Sequence, residues 1–266
     1  MTPGVVATRH GSSIYIEDTG SGRLPVLALH GLGGGAYFFR GLAARLDPRY
    51  RILAIDMPGT GRSTSGPAPW SLESWVDDVG DLVADRIGAP AVLVGHSLGT
   101  IVALQVLAAR APHIRGLVFV GGLPRVRPII RERLTERVAH VTRRGMIGLG
   151  PQVTPGIFSS GTFQRHAEVI ALFERVFEAQ PQDAYLRGIE VLLGASAEAV
   201  LAGARVPCLA ITGEDDQYAP PDAVHAFVSA LPVACREEVI PGCGHMPFFE
   251  APDAFASLVE SFLDTL

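Results

Sequence analysis

Residues 91–110 constrain this chain most tightly: Ala-Val-Leu-Val, then Gly95-His96-Ser97-Leu98-Gly99, then apolar residues at helical spacing up to Arg110. A short apolar run without polar alternation is the pattern of a strand buried on both faces, as in a parallel sheet covered by helices. The step from strand to helix leaves no room for a loop, so the turn at Ser97 must be sharp and strained. Glycines two positions to either side let strand and helix approach closely. The serine hydroxyl then stands at a helix N-terminus, where backbone N–H groups favour developing negative charge. Without the flanking strand and helix the five residues would carry little meaning; a glycine turn whose serine merely caps a helix is the competing reading.

The rest of the chain repeats the same grammar. Gly4 to Thr8, a turn at His10-Gly11 and alternating Ile14-Tyr15-Ile16 suggest an N-terminal hairpin. Strands are expected at 26–29, 50–55, 91–94 and 117–120, with helices at 38–46, 71–87 and 98–110. Ser71 is placed to cap the second of these, with Glu73 in its first turn. After Arg205 the alternation resumes, with strands at 206–212 and 236–240 and helices at 221–231 and 252–266. Such alternation demands a mainly parallel, twisted sheet with helices on both faces, an α/β architecture. Residues 123–204 break the pattern. Helices are expected at 131–144, 162–179 and 183–193, separated by breaks at Gly148-Leu149-Gly150-Pro151 and Pro155-Gly156. The expected organisation is therefore a core domain built from residues 1–122 and 205–266, with a helical cap, residues 123–204, inserted after the sixth strand. The cap's expected place is above the sheet edge where ligands bind.

Composition removes several functions. The chain has 266 residues, 48% hydrophobic and 18% charged, enough for a large core and against disorder. All 22 basic residues are arginine, which excludes a Schiff-base lysine and a P-loop. A net charge of −5 argues against nucleic acid or an anionic membrane as partner. Three cysteines, Cys208, Cys235 and Cys243, are too few for a disulfide scaffold, and no secretory segment is visible, so a cytoplasmic location is expected. The apolar stretch 89–109 is interrupted by Gly95, His96, Ser97 and Gly99, which fits a buried strand and helix better than a membrane span.

A serine nucleophile needs a base, and the base an orienting acid. Gly213-Glu214-Asp215-Asp216 and Gly242-Cys243-Gly244-His245 each follow a strand, which puts both at the sheet edge that carries Ser97. With Leu29-His30-Gly31-Leu32-Gly33, Asp56-Met57-Pro58-Gly59-Thr60-Gly61-Arg62-Ser63, Pro220, Glu250 and Pro252, these segments resemble the α/β-hydrolase superfamily over essentially the whole length. Size, cap length and the segment from Tyr185 to Glu190 resemble 3-oxoadipate enol-lactonase-like and esterase members. The resemblance implies Asp216 as the acid, with Asp215 its close rival, and backbone N–H groups of Leu32 and Leu98 as oxyanion hole. It disfavours dehalogenase and epoxide-hydrolase chemistry, whose members carry aspartate where Ser97 stands.

Gly31-Leu32-Gly33-Gly34-Gly35-Ala36, followed by Asp56, also fits a dinucleotide fingerprint. That reading leaves the serine, aspartate and histidine unexplained, and Asp56 is expected to hold its own loop. His30 and His96 are read as shaping their loops, with His30 also a candidate for the substrate pocket beside Phe158, Phe163 and Met246. Arg125 and Arg127 could hold a substrate carboxylate or form surface salt bridges, and His140 and His166 are read as solvated. Cys243 could line the pocket, but no second cysteine–histidine pair makes a metal site. The expected reaction is hydrolysis of a small carboxylic ester or lactone through an acyl-enzyme, with no metal or organic cofactor. A C–C hydrolase of β-diketone-type substrates and a slow-turnover ligand receptor would use the same three residues. Nothing in the sequence fixes an oligomeric state.

Overall fold

A computed structural model describes residues 1–67 and 70–266. Eight described strands, β1 (Thr2–Ala7), β2 (Ser13–Asp18), β3 (Leu24–Leu29), β4 (Tyr50–Ile55), β5 (Ala91–His96), β6 (Ile114–Val120), β7 (Cys208–Gly213) and β8 (Cys235–Ile240), form one sheet. Their order is β1-β2-β4-β3-β5-β6-β7-β8. β1, β2 and β4 pair antiparallel, and every pair from β4 to β8 is parallel. All residues of β5 and β7 are buried, which requires cover on both faces of the sheet. Edge strand β8 is partly exposed along most of its length and leaves Val239 exposed.

The helices are α1 (Arg40–Ala43), α2 (Leu72–Asp81), α3 (Leu98–Arg110), α4 (Pro128–Arg144), α5 (Gly150–Ile157), α6 (Ser160–Arg165), α7 (Ala167–Glu178), α8 (Gln182–Gly194), α9 (Pro221–Ser229), α10 (Pro247–Glu250) and α11 (Pro252–Leu263). Ser71 caps α2 as expected, and its reciprocal partner is Ser74, so two amides that a helix start leaves orphaned are satisfied. α3 carries almost no polar face, with buried residues around most of its circumference, because it lies against β3, β5 and β6 on one side and α2 on the other. Helices α4 to α8 fill the interval between β6 and β7.

Three expectations about secondary structure change. Residues 148–157, read as Gly/Pro breaks, contain the helix α5. Pro151 sits in its first turn, where no N–H is needed, so proline there starts a helix. The segment 162–179 is two helices, because His166 takes φ −138° and ψ 46° between α6 and α7. The segment 38–46 is only a 3₁₀ turn, Ala36–Phe39, leading into the single turn α1. Among the described residues no helix is long and apolar enough to cross a membrane.

Candidate active site

Ser97 is the only described non-glycine residue with positive φ, at φ 52° and ψ −115°, between β5 and α3. A residue with a Cβ takes this conformation only where its surroundings impose it. Here they do: Ser97 N–H donates to Val120 O on the neighbouring strand (2.9 Å), and Thr100 N–H donates to Ser97 O (2.9 Å). The flanking glycines are required by contact. A Cβ on Gly95 would lie 2.4 Å from Gly99 O, and one on Gly99 would lie 2.2 Å from Leu29 O.

His245 follows β8 and Asp216 follows β7, and the two meet with His245 Nδ1 2.8 Å from Asp216 Oδ2. The other carboxylate oxygen, Oδ1, accepts N–H bonds from Tyr218 (2.8 Å) and Ala219 (2.9 Å). A carboxylate so engaged accepts only, so Nδ1 of His245 carries the proton and Nε2 is left as the basic nitrogen. The Asp216 side chain is fully buried, whereas Asp215 is exposed and its N–H donates to Cys243 O (2.8 Å). The imidazole is held from three further sides. Its backbone N–H donates to Ile157 O (2.7 Å), His96 Nε2 donates to its carbonyl (3.0 Å), and the Tyr218 ring stacks on it at 4.9 Å. His96 is buried among apolar groups, and desolvation pushes its pKa well below the ordinary histidine value, so it serves here as a neutral donor.

Ser97 and His245 line one cavity of about 760 Å³ including its mouth. Leu32, Leu98 and Met246 line it too, with apolar walls from α3 and from α4, α5, α7 and α8. The N–H groups of Leu32 and Leu98 donate to no other backbone group among the described residues, which for Leu98 follows from its place as the first residue of α3. The Leu32 loop is fixed from behind. His30 Nε2 accepts the Met57 N–H (2.9 Å), so Nδ1 is the protonated nitrogen and donates to Gly31 O (2.7 Å). Asp56 accepts the N–H of Ala36 (2.8 Å) through Oδ1 and that of Arg62 (2.8 Å) through Oδ2. Both oxygens therefore stitch two loops together, which is the structural purpose of the glycine-rich stretch that mimics a dinucleotide fingerprint.

Several expected pocket residues lie elsewhere. His30 does not line the cavity, since both ring nitrogens are spent on the backbone. Phe158 is buried behind the wall with its ring edge toward Phe173 (5.2 Å), and Phe163 is 36% exposed on the outside of α6. Cys243 is buried away from the cavity lining. His140 is buried, not solvated, with Nε2 3.0 Å from Ile147 O, whereas His166 is exposed. Arg125 pairs with Glu198 (3.0 Å) and Arg127 donates to Gln217 O (3.1 Å), yet both also line the cavity. Sequence reasoning missed Arg137 and Tyr218, which line it as well. A signal for Arg137 existed: it lies on the stripe Ile130, Leu134, Val141 of α4, an arginine on an otherwise apolar helical face.

The chain is 27% identical to a pimeloyl-[acyl-carrier protein] methyl ester esterase of Yersinia enterocolitica, over 94% of this chain and 96% of that one. Against the protein of the same name from Pectobacterium carotovorum it is 28% identical, over 94% of this chain and 98% of that one. Among solved structures, an esterase from Thermogutta terrifontis superposes with a TM-score of 0.89 at 24% identity, covering 100% of this chain and 99% of the other. The enol-lactonase from Burkholderia xenovorans gives 0.88 at 23% identity, covering 98% and 100%. The model of the alpha/beta hydrolase family matches residues 26–258, and the chain belongs to that family.

Proposed function

We propose that the chain is a serine hydrolase that cleaves carboxylic esters or lactones through an acyl-enzyme. The observation that carries this reading is the His245–Asp216 pair at 2.8 Å in the same cavity as a serine held at φ 52°. His245 Nε2 takes the Ser97 proton as Oγ attacks the carbonyl, and Asp216 holds the tautomer and stabilises the imidazolium that forms. The free amides of Leu32 and Leu98 meet the tetrahedral oxyanion, each donor being worth about 3 kcal/mol in comparable sites. His245 then returns its proton to the leaving alcohol, and in the second half it activates the water that releases the acid. Its neighbours supply what the step needs: His96 and Ile157 fix the backbone of the base, and Tyr218 covers one face of its ring. The curated relatives named above are ester hydrolases, which supports an ester bond as the target. The three unpaired thiols fit a cytoplasmic location.

Short-chain p-nitrophenyl esters, simple lactones and β-diketones, offered to wild type and Ser97→Ala in parallel, test the reading. Many turnovers per site on esters or lactones, lost in the variant, support it. A single slow turnover, or turnover confined to the β-diketones, overturns it.

A further inference from the structure

The described lining of the active-site cavity contains Arg125, Arg127 and Arg137 and no carboxylate, although the chain as a whole carries a net charge of −5. Local sign opposite to the global one is a property of the pocket that needs its own explanation. Arg125 is exposed and Arg127 half-buried, and each has a partner, Glu198 and the Gln217 carbonyl. Arg137 differs. It projects from the apolar face of α4 into the cavity wall, where Leu134, Val153 and Tyr218 also lie. One guanidinium N–H donates to the Tyr218 hydroxyl. The buried Tyr185 hydroxyl approaches from α8 and completes no hydrogen bond of its own among the described residues. No carboxylate of the described residues pairs with Arg137; the titratable side chains beside it are these two neutral phenols.

A guanidinium cannot shed its proton, and leaving it without a counter-ion in a half-buried, largely apolar wall carries a cost. The neutral Tyr218 phenol satisfies one N–H group but leaves the charge uncompensated and most of the five-donor fork unused. Its place relative to the chemistry is fixed through one ring. Tyr218 stacks on His245 at 4.9 Å, and the guanidinium carbon of Arg137 lies 5.6 Å from the same Tyr218 centroid. An ester seated at Ser97 and extending along this wall would therefore bring its far end to Arg137 within a short chain.

We propose that Arg137, with the Tyr218 phenol beside it, forms an anion subsite that selects esters or lactones whose acyl part ends in a carboxylate, such as half-esters of short dicarboxylic acids. The substrate carboxylate supplies the counter-ion that the wall lacks, and Arg125 and Arg127 draw it to the mouth. The proposal rests on the hydrolase reading for its turnover but not for its binding.

The test compares monomethyl succinate, glutarate, adipate and pimelate with methyl alkanoates of matching length, in wild type and in Arg137→Gln. Charge-assisted hydrogen bonds of this kind predict that wild type favours the best half-ester over its neutral match by about ten- to a hundredfold in kcat/KM. In Arg137→Gln that ratio falls close to one, with the change in KM. Absence of any preference in wild type overturns the proposal. So does an equal loss on both substrate types in Arg137→Gln, the signature of a merely structural residue. If that variant does not fold, calorimetry on Ser97→Ala decides: monomethyl glutarate binding at least tenfold tighter than methyl pentanoate supports the subsite, and equal affinity rejects it. Tight dicarboxylate binding by a wild type that turns over no ester would retire the hydrolase reading while leaving the subsite standing.

Discussion

Asp216 reaches Nδ1 of His245 at 2.8 Å from a fully buried position, while its neighbour Asp215 is exposed and engages the chain only through its backbone. Two adjacent carboxylates are thereby given different work by side-chain direction alone. Asp216→Asn is predicted to lower kcat by on the order of a thousandfold or more, because an amide can present a donor to Nδ1 and stabilise the wrong tautomer. Asp215→Asn is predicted to change kcat by less than about threefold. Steady-state kinetics on one ester substrate checks both, and a larger loss in the Asp215 variant would reverse the assignment.

Gly121, directly after β6, stands against this pair. Its φ is 50°, and a Cβ there would lie 2.9 Å from both Asp216 Oδ2 and His245 Nδ1. Both partners are buried and anchored, so neither can yield cheaply. Gly121→Ala is predicted to cost about 1–3 kcal/mol of stability and at least tenfold in kcat. Urea unfolding and kinetics on the same preparation measure the two effects.

Glu250 ties the base to the helical layer above it. Its Oε1 accepts the N–H of Gly244 (3.0 Å) and Met246 (3.2 Å), and Oε2 accepts the N–H of Ser159 and the Thr162 hydroxyl, both at 2.8 Å. Glu250→Ala leaves these donors without their acceptor. The expected loss is about 2–4 kcal/mol, with a lower kcat because His245 lies between two of the freed amides. Glu250→Gln, which keeps the shape and two acceptor lone pairs, is expected to lose less on both readouts.

Acid should destabilise the fold through its buried histidines. Burial lowers the pKa of both His30 and His96. The unfolded chain binds protons at these sites below about pH 6.5, where the native state still resists them, so stability falls as pH drops. Each histidine contributes a slope of up to about 1.4 kcal/mol per pH unit below that point until its folded pKa is reached. Denaturant midpoints between pH 8 and pH 5 should show this loss, and His96→Gln should flatten part of it. A midpoint independent of pH in this range would contradict the assignment of both rings as buried and neutral.

What the sequence made legible was local. The G-x-S-x-G turn, the Asp56 loop and the two late strand exits carry their geometry within a few residues, so Ser97 and His245 could be singled out without coordinates, whereas the choice of Asp216 over Asp215 rested on the family resemblance. The helix Leu98–Arg110 was readable to its ends because an unbroken apolar run must be buried on all sides. The helical layer between β6 and β7 was not readable in the same way. Whether Phe158, Phe163 or Phe173 faces the cavity depends on how α5, α6 and α7 pack on one another, a relation between distant faces that periodicity does not encode. Proline at 151 looked like a stop because the position of a helix start cannot be told from that of a helix end by composition alone, and Pro155 falls inside the same short helix. Arg137 was visible as an exception within an apolar stripe, but what it faces became clear only when Tyr218, from beyond β7, closed over it.

The central claim is that Ser97 forms a covalent acyl intermediate. Rapid quenching of wild type after mixing with a p-nitrophenyl ester, followed by peptide mass spectrometry, tests it directly. The predicted result is one acyl group per chain, carried on Ser97 and absent from Ser97→Ala. Acylation of another residue, or undiminished ester turnover in Ser97→Ala, would contradict it.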